Sequence, residues 1–175
     1  MQQQSGPTSR VLVVMRHAKA EPDGPTDFER RLSERGRTDA RAAGRWLASR
    51  GITPDHALVS AALRTVETWE AVAEVAGWPL EATYDQGLYA AGPETALDLI
   101  RASPTGAGTV IVIGHNPTIA YLAQLLDDGE GDVAAVNEMA VGYPTSALTV
   151  FEHDGGWAGL GAGSARVAAF HVGRG

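Results

Sequence analysis

Hydrophobic and polar positions along this chain fall into blocks. Residues 11–15 and 109–113 are short, continuous apolar runs that end abruptly in polar residues. Runs of that length, rich in Val and Ile, predict strands buried on both faces. Residues 56–60 read the same way. Between these runs the apolar positions recur at helical spacing. Ala40, Ala43, Gly44 and Leu47 share one face of a helix that Ser33 caps and Gly51 ends, with Arg37, Arg41 and Arg45 on another face. Leu63, Val66, Trp69, Ala73 and Ala76 predict a second helix, with Gly77 at its C′ position. Pro93 suits the first turn of a helix carrying Leu97 and Ile100. Asn116 as N-cap and Pro117 at N1 predict another, with Ile119, Leu122, Ala123 and Leu126 on one face. Residues 80–84 are expected to add a strand and 129–132 an exposed loop. Residues 147–152 and 166–172 close the chain as two strands around a glycine-rich turn.

Strands that alternate with helices imply a largely parallel sheet covered on both faces, and a closing hairpin makes it mixed. The expected fold is α/β, a three-layer α/β/α sandwich with a mostly parallel mixed central sheet. Residues 1–9 read as a polar, disordered tail and residues 10–175 as one domain.

Composition narrows the function. At 175 residues and 44% hydrophobic, the chain can bury one substantial core. A net charge of -7 argues against general affinity for nucleic acid or an anionic membrane, so any cationic pocket must be local. The absence of cysteine excludes thiolate catalysis and cysteine-ligated zinc. There is no apolar run of about 20 residues, and residues 1–7 lack the regions of a signal peptide. A cytoplasmic protein is therefore expected, and nothing in the sequence demands more than a monomer. Of 14 basic residues only Lys19 is lysine, two positions after His17.

Two of the five histidines stand directly after predicted strands: Arg16-His17 after the first, and His115 in Gly114-His115-Asn116-Pro117 after the fourth. In open α/β sheets, ligands bind outside the carboxyl ends of the strands. Ser60 ends another strand, and Arg64 follows it by one helical turn. Two arginines can hold a phosphate through charge-assisted, bidentate hydrogen bonds. His17 can attack phosphorus if one ring nitrogen is free and the other is held by a backbone carbonyl. His115 can stabilise the oxygens of the transferring group. Other readings stand beside this one. A histidine after a strand is often structural, as His56, His153 and His171 are expected to be, and Arg64 alone reads as a surface residue. A metal held by His17, His115 and Glu21 would need ligands that no close-spaced motif supplies.

Four segments occurring in order resemble the histidine phosphatase (phosphoglycerate-mutase-like) superfamily: Val13-Val14-Met15-Arg16-His17-Ala18, Leu32-Ser33-Glu34-Arg35-Gly36, Val59-Ser60-Ala61-Ala62-Leu63-Arg64-Thr65-Val66-Glu67-Thr68, and Val112-Ile113-Gly114-His115-Asn116-Pro117. The Arg-His-Ala-Lys form and the small size are similar to the SixA branch, the phosphohistidine phosphatases. The resemblance implies that His17 is the nucleophile that becomes phosphohistidine. It also implies that Arg16, Arg64 and His115 complete the phosphate pocket, and that no metal or organic cofactor is needed. Asn116, following the second histidine, is expected to order that loop, and Asn116 and Lys19 are further candidates for phosphate binding.

The acid that protonates the leaving group in many relatives has no clear counterpart. Glu94, Glu21 and Asp27 are the candidates. An alkoxide leaves poorly without such an acid, whereas imidazole, with a pKa of about 6.5, is protonated more easily. A short chain without large lid insertions also leaves room for a protein side chain. The expected function is therefore a metal-independent phosphohistidine phosphatase acting on a phosphohistidine-containing protein. The rivals are a small-molecule phosphomonoesterase on the same scaffold and a non-catalytic module that binds phosphorylated ligands. Phosphate-like or sulfate-like anions should occupy the pocket in each case.

Overall fold

The computed structural model describes residues 8–175. Its elements run β1 (Ser9–Arg16), α1 (Glu34–Ser49), β2 (His56–Ser60), α2 (Leu63–Ala76), β3 (Thr83–Asp85), α3 (Gln86–Tyr89), α4 (Pro93–Arg101), β4 (Thr109–Gly114), α5 (Thr118–Leu126), α6 (Val133–Val141), β5 (Ala147–Asp154) and β6 (Arg166–Val172), with a 3₁₀ turn at Trp157–Gly159. The six strands form one sheet in the order β3-β2-β4-β1-β5-β6. β1, β2, β3 and β4 are mutually parallel, and the β5–β6 hairpin adds to β1 in antiparallel fashion. The expected mixed α/β/α architecture is the one observed.

The two faces of the sheet carry separate cores. Val13 and Met15 of β1 point toward α1 and α2, among Ala40, Ala43, Leu47, Trp69 and Val72. Leu12 and Val14 point the other way, toward α4, α5, α6 and the 3₁₀ turn, among Leu97, Ile100, Leu122, Met139 and Trp157. This alternation is the two-residue period of a strand covered on both sides. All the apolar residues of the run from Leu12 to Met15 are fully buried, which explains why the run is continuous instead of alternating.

Local signals placed most boundaries. The Ser33 side chain accepts from Gly36 N at 3.0 Å and caps α1. Gly77 ends α2 with φ 74°, a conformation that suits glycine. Four expectations need correction. Of the expected tail, residues 1–7 lie outside the described residues, but Ser9 is already strand because it pairs with Asp154. The third strand is confined to Thr83–Asp85, where β2 offers its partners Leu58, Val59 and Ser60. Leu80 and Ala82 instead pack against the core beneath α1 and α2. Pro117, not Asn116, occupies the cap of α5, and the Asn116–Pro117 peptide is cis. The Asn116 side chain turns elsewhere, donating from Nδ2 to the Tyr143 carbonyl at 2.8 Å. Helix α6 was not anticipated. Asp132 caps it through Ala135 N, yet Val133 and Val141 are exposed, so its apolar residues do not keep to one face.

Helix α2 differs most from its sequence reading. Its buried residues include Arg64, Thr65, Glu67 and Thr68, because the first two turns face the carboxyl edge of the sheet and the loop after β1. Glu67 accepts from Arg31 Nε, Leu32 N and Arg37 Nη2, pinning the segment that leads into α1. Gly36 allows that segment to come close: a Cβ there would collide with the Lys19 carbonyl oxygen.

Candidate active site

The parallel strands β1, β2 and β4 bring their carboxyl ends together, and each delivers a polar residue there. His17 follows β1, with its backbone N–H donating to the Gly114 carbonyl at the end of β4 (3.0 Å). The next residue, Ala18, donates its N–H to Thr68 Oγ1 at 3.0 Å, and the Thr68 hydroxyl donates to the Arg64 carbonyl at 2.7 Å. On the other side the His17 carbonyl accepts from Ser146 N at 3.1 Å, where the chain turns through φ 63°. The loop that carries His17 is thus tied to β4, α2 and the start of β5.

His17 Nδ1 lies 2.7 Å from the Ala18 carbonyl oxygen. A carbonyl can only accept, so Nδ1 carries the proton and Nε2 keeps its lone pair. The His115 ring lies across from it, with centroids 5.3 Å apart. His115 Nε2 contacts Ser60 Oγ at 2.7 Å, while its Nδ1 is buried with no hydrogen-bond partner among the described residues. Arg16 Nη1 donates to the Tyr143 carbonyl at 3.1 Å. Arg64, only 6% exposed, donates from Nη1 and Nη2 to Asp27. The Nε atoms of Arg16 and Arg64 are both buried and unpartnered among the described residues. Buried polar groups are normally satisfied. Two orphaned guanidinium donors and an orphaned imidazole nitrogen beside a free Nε2 describe a receptor for a tetrahedral oxyanion.

Electrostatics agree with that reading. Burial first, and then the neighbouring Arg64 and Arg16, hold the His17 imidazole down at about 4, against the Ala18 hydrogen bond that raises it. Burial, followed by His17 and Arg64, brings His115 down to about 3. Both rings are therefore neutral at pH 7, and His17 is competent as a nucleophile. The unfolded chain binds more protons than the folded one between about pH 6.5 and pH 4, so this contribution to stability is present above 6.5 and is lost as pH falls. Imidazole NMR of the free protein should show these two rings still neutral at pH 5.5, and added tungstate should move both midpoints upward. Ordinary titration of both near 6.5 would contradict the arrangement.

Not every sequence candidate joins the group. Lys19 is exposed and lines a separate cleft with Arg35, Asp39, Thr145 and Arg174. Glu94 is exposed in the first turn of α4, and Glu21 is exposed beside a hollow that includes Asp23, Glu29 and Arg31. Neither carboxylate hydrogen-bonds to His17, His115, Arg16 or Arg64. Asp27 does reach the site, but as an acceptor. The Tyr89 hydroxyl, then Arg64 and Arg30, hold its carboxyl at about 2. Tyr89 itself, whose ring sits 5.5 Å from that of His115, was missed, as was Tyr143, whose carbonyl anchors both Arg16 and Asn116. No periodic signal marks either tyrosine, because Tyr89 ends the four-residue helix α3 and Tyr143 lies in the loop before β5.

Residues 12–89 match the family model for the histidine phosphatase superfamily, branch 1. Phosphohistidine phosphatase SixA of Escherichia coli K12 is 30% identical over 121 residues, 68% of this chain and 75% of the relative. The chain belongs to the histidine phosphatase superfamily. A Mycobacterium tuberculosis protein, itself uncharacterized, is 38% identical over 162 residues, 91% of this chain and 100% of its own. A SixA structure from Nakamurella multipartitia superposes with a TM-score of 0.82 at 30% identity, covering 93% of this chain and 95% of that one. The protein histidine phosphatase SixA complexed with tungstate superposes at 0.72 with 25% identity, covering 93% and 96%. This protein is thus a SixA-like phosphatase of the histidine phosphatase superfamily. No helix among the described residues is long and apolar enough to cross a membrane.

Proposed function

We propose that the protein is a phosphohistidine phosphatase that works through a covalent intermediate on His17 and needs no metal. The observation that carries this is the pairing of a free His17 Nε2 with three orphaned buried nitrogens on Arg16, Arg64 and His115. The Nε2 lone pair forms a bond to phosphorus as the bond to the leaving nitrogen breaks. That nitrogen departs with the electron pair and takes its proton from solvent. Arg16, Arg64 and His115 bind the phosphoryl oxygens as their charge redistributes. Water then adds to phosphorus, the N–P electron pair returns to Nε2, a proton is lost to solvent, and inorganic phosphate leaves.

Among the described residues no carboxyl placed to donate a proton reaches the pocket, which supports an imidazole leaving group. Asp27 is held ionised and hydrogen-bonded to Arg64, while Glu21 and Glu94 make no hydrogen bond to the pocket residues. A positioned general acid contributes about 10²- to 10⁴-fold to ester cleavage, and a leaving imidazole depends on it far less. Similarity to the Escherichia coli phosphohistidine phosphatase and to SixA complexed with tungstate supports the same reading. The test is a panel of a phosphohistidine-bearing protein, aryl phosphates and sugar phosphates, each assayed with and without chelator. Expected is a kcat/KM at least about 10²-fold higher for phosphohistidine than for sugar phosphates, unchanged by chelator. Preference for sugar phosphates would favour a phosphomonoesterase, no turnover at all a binding module, and strict metal dependence a different mechanism.

A further inference from the structure

Arg64 is held through both of its Nη atoms, while its Nε is left without a partner among the described residues. Its Nη1 donates to the Asp27 carbonyl at 2.8 Å and its Nη2 to Asp27 Oδ2 at 3.2 Å. The same Oδ2 accepts from the Tyr89 hydroxyl at 2.5 Å, and Oδ1 accepts from Arg30 Nε at 3.1 Å. The Tyr89 ring stands edge-on to His115, and the Arg64 guanidinium carbon lies 5.9 Å from its centroid. The next residue secures the loop. The Phe28 carbonyl accepts from Leu63 N at 2.9 Å, and its ring packs edge-on against Tyr89 with centroids 5.0 Å apart.

A guanidinium has five N–H groups. Asp27 takes one from each Nη, leaving one on each and the buried Nε–H that has no partner. Those three remain for an oxyanion. A flexible arginine would otherwise lose rotamer freedom each time it engaged substrate, and a fork already held in place avoids that loss.

We infer that Asp27 and Tyr89 are positioning residues that hold the Arg64 fork toward the phosphoryl oxygens, and that Asp27 is not the proton donor. The inference deepens the phosphatase reading and rests on it. Its charge environment agrees: a carboxyl held at about 2 has no proton to give at neutral pH.

The experiment compares wild type, Asp27→Asn and Tyr89→Phe on aryl phosphates of graded leaving-group pKa, together with tungstate affinity. A positioning role predicts that Asp27→Asn lowers kcat/KM by about 10- to 100-fold, the worth of a charge-assisted hydrogen bond. The factor should be the same for every leaving group, and tungstate binding should weaken in parallel. Tyr89→Phe, which keeps the ring, should act in the same direction by about 5-fold. A loss that grows with leaving-group pKa while tungstate affinity stays unchanged would make Asp27 the acid and overturn the inference. Tighter tungstate binding in Asp27→Asn would show that Asp27 competes with the anion, and also overturn it. Unchanged variants beside an active wild type would overturn positioning alone. A wild type that neither binds tungstate nor forms a phosphoenzyme would remove the phosphatase reading beneath it.

Discussion

His17→Ala should abolish turnover, by at least about 10³-fold, and should leave no phosphate trapped on the protein in a quenched reaction. The imidazole is the proposed covalent partner, and water cannot take its place from the same position. In the native site the ring is held by its own neighbour through Nδ1 at 2.7 Å, so Nε2 has a single orientation. Alanine also removes a neutral ring, not a charge, from the pocket, because burial keeps the native imidazole unprotonated at neutral pH. Arg16, Arg64 and His115 keep their separate supports on Tyr143, Asp27 and Ser60. Tungstate should therefore still bind, more weakly, and thermal denaturation should show that binding as a stabilisation. Full activity in the variant would end the covalent proposal. Loss of both turnover and all tungstate binding would mean that the ring organises the pocket as well as attacking.

Arg64→Ala should cost about 10²- to 10³-fold in kcat, the usual effect of deleting one preorganised donor to a developing oxyanion. Arg64→Lys should recover little, since an ammonium cannot reproduce the planar fork. The site makes the loss asymmetric. Removing the guanidinium leaves the Asp27 carboxylate, already held by Tyr89 and Arg30, facing an approaching anion with no intervening cation. The double variant Arg64→Ala/Asp27→Asn should accordingly bind tungstate better than Arg64→Ala alone, a non-additivity expected of groups in direct contact. Phosphoenzyme trapping and tungstate titration read the two effects separately. Equal activity of Arg64→Lys and wild type would show that charge suffices and that the fork is irrelevant.

How much of this was legible depends on the residue. Arg16, His17 and His115 could be placed because each follows a strand whose apolar run has no other explanation than burial on both faces. Arg64 needed the resemblance, since its helix was expected to bury Leu63 and Val66, and instead buries Arg64, Thr65, Glu67 and Thr68. Lys19 illustrates the opposite error. Two residues from His17 is close in sequence, yet the chain has turned by then: the Lys19 carbonyl takes the Ser33 hydroxyl at 3.1 Å, and the side chain lines a different cleft. The acid candidates failed for a related reason. Proximity along the loop placed Asp27 near the site correctly, but its role depends on Tyr89, which lies 62 residues away in sequence.

By itself the sequence determined the layered α/β architecture and the strand ends at which Arg16, His17 and His115 stand, and the resemblance added Arg64 to the proposed pocket. These follow from short-range rules: burial sets the period, and caps and glycines set the boundaries. Only the tertiary structure decided which donors are left over. The free Nε2 of His17, the orphaned nitrogens of Arg16, Arg64 and His115, and the hydrogen bonds that Asp27 accepts from Arg64 and Tyr89 all depend on neighbours that the fold assembles. Hydrogen-bond satisfaction and local charge belong to the assembled neighbourhood, so no local pattern of residues could have reported them.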